Sequence, residues 1–371
     1  MKDIKKFEIF LSAPPGLELT LKAEAQERGF AKPKAVPGGV RFRGAWPEVW
    51  RANLELRGTA RVLARIGGFQ AMHLDQLKQR CIDFGWMDLL HRDVPVRVDV
   101  TCKSSRIYHE RAAAQRVEES LSEVLGVPIS GEDALRLMVR IENNQCTFSI
   151  DTSGDLLHKR GHKEAVGKAP MRETLAALFL RQCGYDGTEP VLDPMCGSGT
   201  FVIEAAEIAM GLAPGRARSF AFERLATFDA EVWNKMRTPP EACETTLQFH
   251  GSDRDAGAIR DATANATRAG VAGICQFQTH AISDLQRPDG PPGLVIVNPP
   301  YGDRIGDKRQ LFGLYGALGK VLKDRFAGWR VGLITSDAGL AKATGLPFDP
   351  PGTSVPHGGL KVTLWQTNAL A

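Results

Sequence analysis

Val191-Leu192-Asp193-Pro194-Met195-Cys196-Gly197-Ser198-Gly199-Thr200 reads as an apolar strand that breaks into an acid and a glycine-rich turn. A helical pattern follows over residues 201–210. In an open α/β sheet, ligands lie outside the carboxyl ends of the strands, so this turn marks a ligand site. Gly197 and Gly199 allow a tight turn and a close backbone approach to a ligand. The unpaired N–H groups at the helix start suit an anion such as a carboxylate. Further along, Val295-Ile296-Val297-Asn298-Pro299-Pro300-Tyr301 places hydrogen-bond acceptors and an aromatic ring where another strand ends.

The pattern around these two segments is regular. Strand-like stretches at 190–192, 246–251, 274–280, 293–297 and 330–335 alternate with helical ones at 170–182, 201–210, 255–269 and 311–326. Such alternation predicts a Rossmann-like parallel sheet covered by helices on both faces, with residues 360–366 as its edge strand. The first half is a second α/β region. It reads as strand 8–12, helix 17–28 closed by Gly29, strand 40–43, helix 46–56 and strand 61–66. Strand 94–101, helix 110–125 and a hairpin of 136–142 with 145–151 around Asn143-Asn144 follow. The loop Lys103-Ser104-Ser105-Arg106 reads equally as a phosphate grip and as a solvated turn with ordinary helix caps.

Composition narrows the class. The 371 residues suggest more than one domain, and 43% hydrophobic with 24% charged residues is ordinary for a globular protein. No apolar run has the length of a membrane span, and the N-terminus lacks the apolar core of an export signal. Seven scattered cysteines without a Cys-x-x-Cys pair suit neither a disulfide framework nor a zinc site, so a cytoplasmic location is expected. Residues 1–170 carry 27 Lys+Arg against 22 Asp+Glu, and the remainder 20 against 21, so the small basic excess lies in the first half. That is a weak signal for a polyanionic partner.

The chemistry is carried by a few side chains. Asp193 would order its loop or accept a hydrogen bond from a ligand ammonium. Asp253, ending the next strand, would accept the hydroxyls of a ribose or cap the helix ahead. Asp284 would receive the amino group of an adenine or act as a turn residue. An exocyclic base amine is a poor nucleophile because its lone pair is delocalised. The Asn298 side-chain oxygen and the Pro299 carbonyl could accept its two N–H bonds and aim the nitrogen. Pro299 and Pro300 stiffen the turn, and Tyr301 could stack on an extruded base. Asp303 and Arg304 would contact a base edge or phosphate, or pair with each other. Cys196 has no base in the pattern to make it a nucleophile. Together the two motifs predict transfer of a methyl group from S-adenosylmethionine to an exocyclic amine, with no metal required.

The segments 193–200 and Asn298-Pro299-Pro300-Tyr301-Gly302-Asp303-Arg304 resemble the THUMP-domain class I RNA methyltransferases. So does the bridge Arg160-Gly161-His162-Lys163 with Ala169-Pro170-Met171-Arg172-Glu173-Thr174-Leu175-Ala176. The similarity extends to Gly16-Leu17-Glu18, to residues 38–42 and to residues 151–161, and is greatest to the branch making N2-methylguanosine in 23S ribosomal RNA. It implies a ferredoxin-like segment over residues 1–50, an RNA-holding THUMP domain over 51–160 and a class I methyltransferase domain over 161–371. It places Pro170, Glu173 and Thr174 near the methionine end of the cofactor, beside Asp193, Pro194, Cys196, Gly197, Ser198, Gly199 and Thr200. Asp253, Asp284 and Asn298 complete the expected cofactor set, and Lys103, Arg106, Arg160 and Arg304 are the expected RNA contacts. His162-Lys163 departs from the Tyr-Arg usual in that bridge. The chain lacks room for the second methyltransferase domain of some bacterial relatives, so two-site modification is not expected. The expected partner is 23S RNA or a ribosomal assembly intermediate, met by a monomer away from membranes. A tRNA guanine-N2 methyltransferase, an adenine-N6 methyltransferase and a non-catalytic RNA-binding factor are the alternative readings.

Overall fold

A computed structural model describes residues 6–129, 131, 133–164, 171–238, 244–301 and 308–371. The chain divides into two compact units. The first comprises Met1–Ala13, Lys22–Leu157 and Arg218–Thr238; the second comprises Pro14–Leu21, His158–Ala217 and Pro239–Ala371.

In the first unit, strands β1 (Phe7–Ser12), β2 (Lys34–Val36), β3 (Gly39–Gly44), β4 (Val62–Gln70), β5 (Val96–Lys103), β6 (Leu135–Glu142) and β7 (Gln145–Asp151) form one sheet. Its order is β2-β3-β1-β4-β7-β6-β5, antiparallel throughout except for the parallel β5–β6 pair. Leu11 faces Val40 on one side and Val62 on the other, and all three are buried. Asn143 (φ 51°) and Asn144 (φ 62°) form the β6–β7 turn, where positive φ matches the twist of the hairpin. The helices are α1 (Glu18–Glu27), which passes from one unit to the other, α2 (Trp46–Glu55), α3 (Leu74–Ile82) and α4 (Glu110–Leu125). The sequence pattern missed α3, a short helix capped by the His73 side chain and packed on α4.

Two features differ from the expected segmentation. A boundary at residue 50 falls inside α2, and β1 pairs with both β3 and β4, so residues 1–50 and 51–160 share one sheet. The segment Arg218–Thr238, far along the chain, completes the core of this unit. Phe222 lies 6.0 Å from Trp50, 5.2 Å from Phe220, 6.0 Å from Phe228 and 4.9 Å from Trp233, ring centre to ring centre. The helix in this segment, α7 (Ala230–Arg237), holds Trp233, and its sequence carries no clear periodic signal.

The second unit contains α5 (Glu173–Gln182), β8 (Val191–Asp193), α6 (Thr200–Ala209), β9 (Phe249–Asp253), α8 (Ala256–Ala269), β10 (Cys275–Thr279) and β11 (Leu294–Val297). It continues with α9 (Lys308–Arg325), β12 (Arg330–Thr335), α10 (Ala338–Ala343), β13 (Val355–His357) and β14 (Leu360–Gln366); α7 (Ala230–Arg237) belongs to the first unit. The sheet order is β10-β9-β8-β11-β12-β14-β13, with β14 antiparallel to β12 and β13. Residues 360–366 are therefore not the edge strand; β13 pairs along Leu360–Val362 and takes the outermost place. Val295, Val297, Val331 and Leu333 pack with Leu311, Tyr315, Leu318 and Leu322 of α9. The alternating face meets α5, since a Cβ on Gly332 would lie 2.7 Å from Cys183 Sγ and 3.5 Å from Ile296 Cγ1. Burial on both faces is why these strands read as continuous apolar runs. Among the described residues no helix is long and apolar enough to cross a membrane.

Removing the ring at the centre of the first unit's aromatic cluster is expected to be costly. Phe222→Ala should destabilise by about 3–5 kcal/mol, read as a lower urea midpoint than wild type.

Candidate active site

The ends of four adjacent parallel strands, β10, β9, β8 and β11, carry the polar side chains singled out in the sequence. Asp193 ends β8 and is buried, and one of its carboxylate oxygens accepts the Met195 N–H at 3.0 Å. The turn beyond it is tied to β9 twice. Cys196 donates its N–H to the Ser252 carbonyl at 2.9 Å, and Gly197 donates to Asp253 Oδ2 at 3.1 Å. Gly197 (φ +51°) and Gly199 (φ +84°) adopt the left-handed conformation that such a turn requires. A Cβ on Gly197 would enter open space, whereas one on Gly199 would press on Ala262 and Phe277. Asn265 of α8 donates to the Ser198 carbonyl at 3.1 Å. The result is a rigid turn, open above Gly197, with the N-terminus of α6 aimed past it.

Asp253 does not cap α8; Asp255 does, accepting the Gly257 N–H at 2.7 Å. The Asp253 carboxylate instead holds two backbone N–H groups, those of Gly197 and Asp255. Each oxygen keeps a second lone pair for an incoming hydroxyl. Asp284 is exposed in the turn Ile282–Asp284 after β10, with Ser283 donating to it at 3.3 Å. Burial pushes the Asp193 carboxyl up to about 8, its Met195 N–H bond opposes this, and the neighbouring Asp253 carboxylate adds to it. The Cys196 thiol is likewise driven well above its ordinary value, mainly by burial, so it offers no nucleophile at neutral pH.

At the end of β11, Asn298 Oδ1 is buried and has no hydrogen-bond partner among the described residues. The Pro300 carbonyl accepts from Tyr315 Oη at 3.3 Å, which braces the turn from α9. Tyr301 is half-buried against the α9 core, and its phenol is raised to about 12 by burial, so it remains protonated.

Residues of the bridge gather at the other side of the turn. Lys163 pairs with Glu173 at 3.1 Å and donates to Thr200 Oγ1 at 2.8 Å. Thr174 is buried beside Glu173 at the start of α5. Arg160 is only 3% exposed, and its guanidinium donates to Glu204 of α6 at 3.1 Å. That corrects its expected role as an RNA contact, because the charge is spent on a buried carboxylate. Lys103 is exposed and 3.6 Å from Glu142, while the Arg106 backbone N–H donates to Asn144 Oδ1 at 2.8 Å. Both side chains stand on an exposed loop of the first unit, a braced turn and not a formed phosphate cradle. Pro170, Asp303 and Arg304 lie outside the described residues. Sequence reading placed Lys163 in the bridge without giving it a role, and missed Tyr315 and Asn265. The one visible signal nearby was Glu204 and Glu207, two acids on an otherwise apolar helix.

Residues 160–347 match the family described as RMKL-like, methyltransferase domain, and residues 8–63 match the RlmL ferredoxin-like domain. The ribosomal RNA large subunit methyltransferase K/L of Psychromonas ingrahamii is 33% identical over 354 residues, covering 91% of this chain and 47% of that protein. The chain thus spans about half the length of the curated relatives it matches. Among solved structures, SMU.472 complexed with SAH is similar over 100% of both chains, with a TM-score of 0.88 and 26% identity. A predicted N6-adenine-specific DNA methylase from Listeria monocytogenes is 30% identical, with a TM-score of 0.85, over 98% of this chain and 97% of that one.

The raised Asp193 carboxyl has a measurable consequence. Its neutral form favours the fold below about pH 4, and this contribution is lost as pH rises through about 8. Asp193→Asn should therefore raise the melting temperature relative to wild type by an amount that grows from pH 4 to pH 8. A pH-independent difference would contradict the assignment.

Proposed function

The chain belongs to the RMKL-like methyltransferase domain family, and on that premise we propose that it transfers a methyl group from S-adenosylmethionine to the exocyclic N2 of a guanine in 23S ribosomal RNA. The observation that carries the reading is the buried Asn298 Oδ1 without a partner. A buried acceptor left unpaired costs about 1–3 kcal/mol, which an incoming amine N–H would offset. The open space over Gly197 and the N-terminus of α6 fit the amino-acid end of the cofactor. Asp253 has acceptor capacity for the ribose hydroxyls, and Asp284 for the adenine amine. Bound S-adenosylmethionine supplies a methyl group already activated by its positive sulfonium.

The protein's own residues then orient the nucleophile. Asn298 and the Pro299 carbonyl accept the two amine N–H bonds, which localises the nitrogen lone pair and points it along the transfer line. Tyr315 occupies the Pro300 carbonyl and leaves that of Pro299 to the substrate. Tyr301 offers its ring face to the extruded base. The first unit, as the THUMP-bearing half with Lys103 and Arg106 on its loop, would hold the RNA in the cytoplasm, and the enzyme would act as a monomer. The match to the RlmL ferredoxin-like domain and the name of the Psychromonas relative support ribosomal RNA as the substrate.

Nucleoside mass spectrometry tests the proposal on ribosomal and transfer RNA from a deletion strain, before and after incubation with protein and labelled cofactor. N2-methylguanosine missing from 23S RNA and restored in vitro is the expected result. Restoration in tRNA alone would overturn the substrate, and appearance of N6-methyladenine alone would overturn the guanine. Asn298→Ala should lower the methylation rate by about 10²–10³-fold, while binding of S-adenosylhomocysteine and of RNA stays within a few-fold.

A further inference from the structure

The ammonium of Lys163 meets three acceptors, as many as it has protons. They are Thr200 Oγ1 at 2.8 Å, Glu173 Oε1 at 3.1 Å and the Met171 carbonyl at 3.3 Å. The side chain is 10% exposed and that of Glu173 5%. Thr200 opens α6 directly after the glycine turn, and Glu173 opens α5. One buried cation therefore fastens the N-termini of two helices together at the place where both aim their unpaired N–H groups. We propose that Lys163 is a positioning residue for the amino-acid end of the cofactor, holding Glu173 and Thr200 at the separation needed to receive its ammonium and carboxylate.

The hydrogen-bond arrangement gives the reason. Thr200 Oγ1 accepts from Lys163, so its own proton must point elsewhere. Its acceptor among the described residues is the Met171 carbonyl at 3.5 Å, a long bond that a carboxylate would displace. Glu173 spends Oε1 on Lys163 and keeps Oε2 for an ammonium. Without the cation, Glu173 would be a buried carboxylate lacking this partner, and the two helix ends would lose their common anchor. The effect is local to one end of the ligand. A ligand lacking the amino-acid group should not feel it.

This inference rests on the cofactor reading above, and calorimetry separates the two. The probes are S-adenosylhomocysteine and 5′-methylthioadenosine, which shares the nucleoside but lacks the amino-acid end. Lys163→Met should weaken S-adenosylhomocysteine about 10-fold or more and leave 5′-methylthioadenosine within about twofold. Retained binding of the shorter ligand also shows that the variant is folded. Lys163→Arg, which keeps the charge and donors, should recover most of the lost affinity. Equal weakening of both ligands, or unchanged binding of S-adenosylhomocysteine, overturns the role of Lys163. Failure of the wild-type protein to bind either ligand overturns the cofactor reading and the inference with it.

Discussion

The carboxylate of Asp253 reaches across from the end of one strand to hold the turn that leaves its neighbour. By accepting the Gly197 N–H, together with the Cys196–Ser252 backbone bond, it locks the β8–α6 turn onto β9. Asp193, the last residue of β8, pairs with Gly251, and β9 runs on past that level to Asp253, whose carboxylate thereby meets the turn. That packing excludes water from Asp193 and sets two carboxylates near one another, which is why the Asp193 carboxyl is raised so far. A positive ligand group near Asp193 would relieve the same penalty.

The helix that leaves this turn is held by charge as well as by packing. Glu204 and Glu207 are buried on α6, where Arg160 meets the first, and Arg216 meets the second at 2.6 Å. His162 lies 3.9 Å from Glu207, its carbonyl accepts from Arg268, and burial lowers its proton affinity. Buried ion pairs add little net stability, because desolvation offsets most of the attraction. Their consequence here is geometric: the bridge of residues 160–163 is laid along α6, and Lys163 is delivered to the start of both helices. The bridge is thus part of the site's scaffold, with its basic residues turned inward.

The first unit shows the same dependence on distant sequence. Asn53 donates to Thr152 at 3.0 Å and accepts from Ser153 at 2.7 Å, residues roughly a hundred positions away. Its aromatic core needs Phe220, Phe222, Phe228 and Trp233, which arrive only after the chain has already passed through α5, β8 and α6 of the second unit. A linear division of the chain into consecutive domains cannot express this, because the core is assembled from both sides of the bridge.

Local chemistry was legible along the chain. The strand–turn–helix at 191–210, the acids that close successive strands, the Asn-Pro-Pro-Tyr turn and the Asn-Asn hairpin follow from periodicity, glycine and proline geometry. Those constraints act within a few residues, so the sequence determined them by itself. What it could not determine depends on partners far apart in the chain. Whether Asp253 caps a helix or braces a turn, whether Arg160 faces RNA or a buried glutamate, and which strand lies at the sheet edge were decided only in three dimensions. The physical reason is that burial and pairing set the state of each charge, and both are properties of the assembled neighbours, not of the residue.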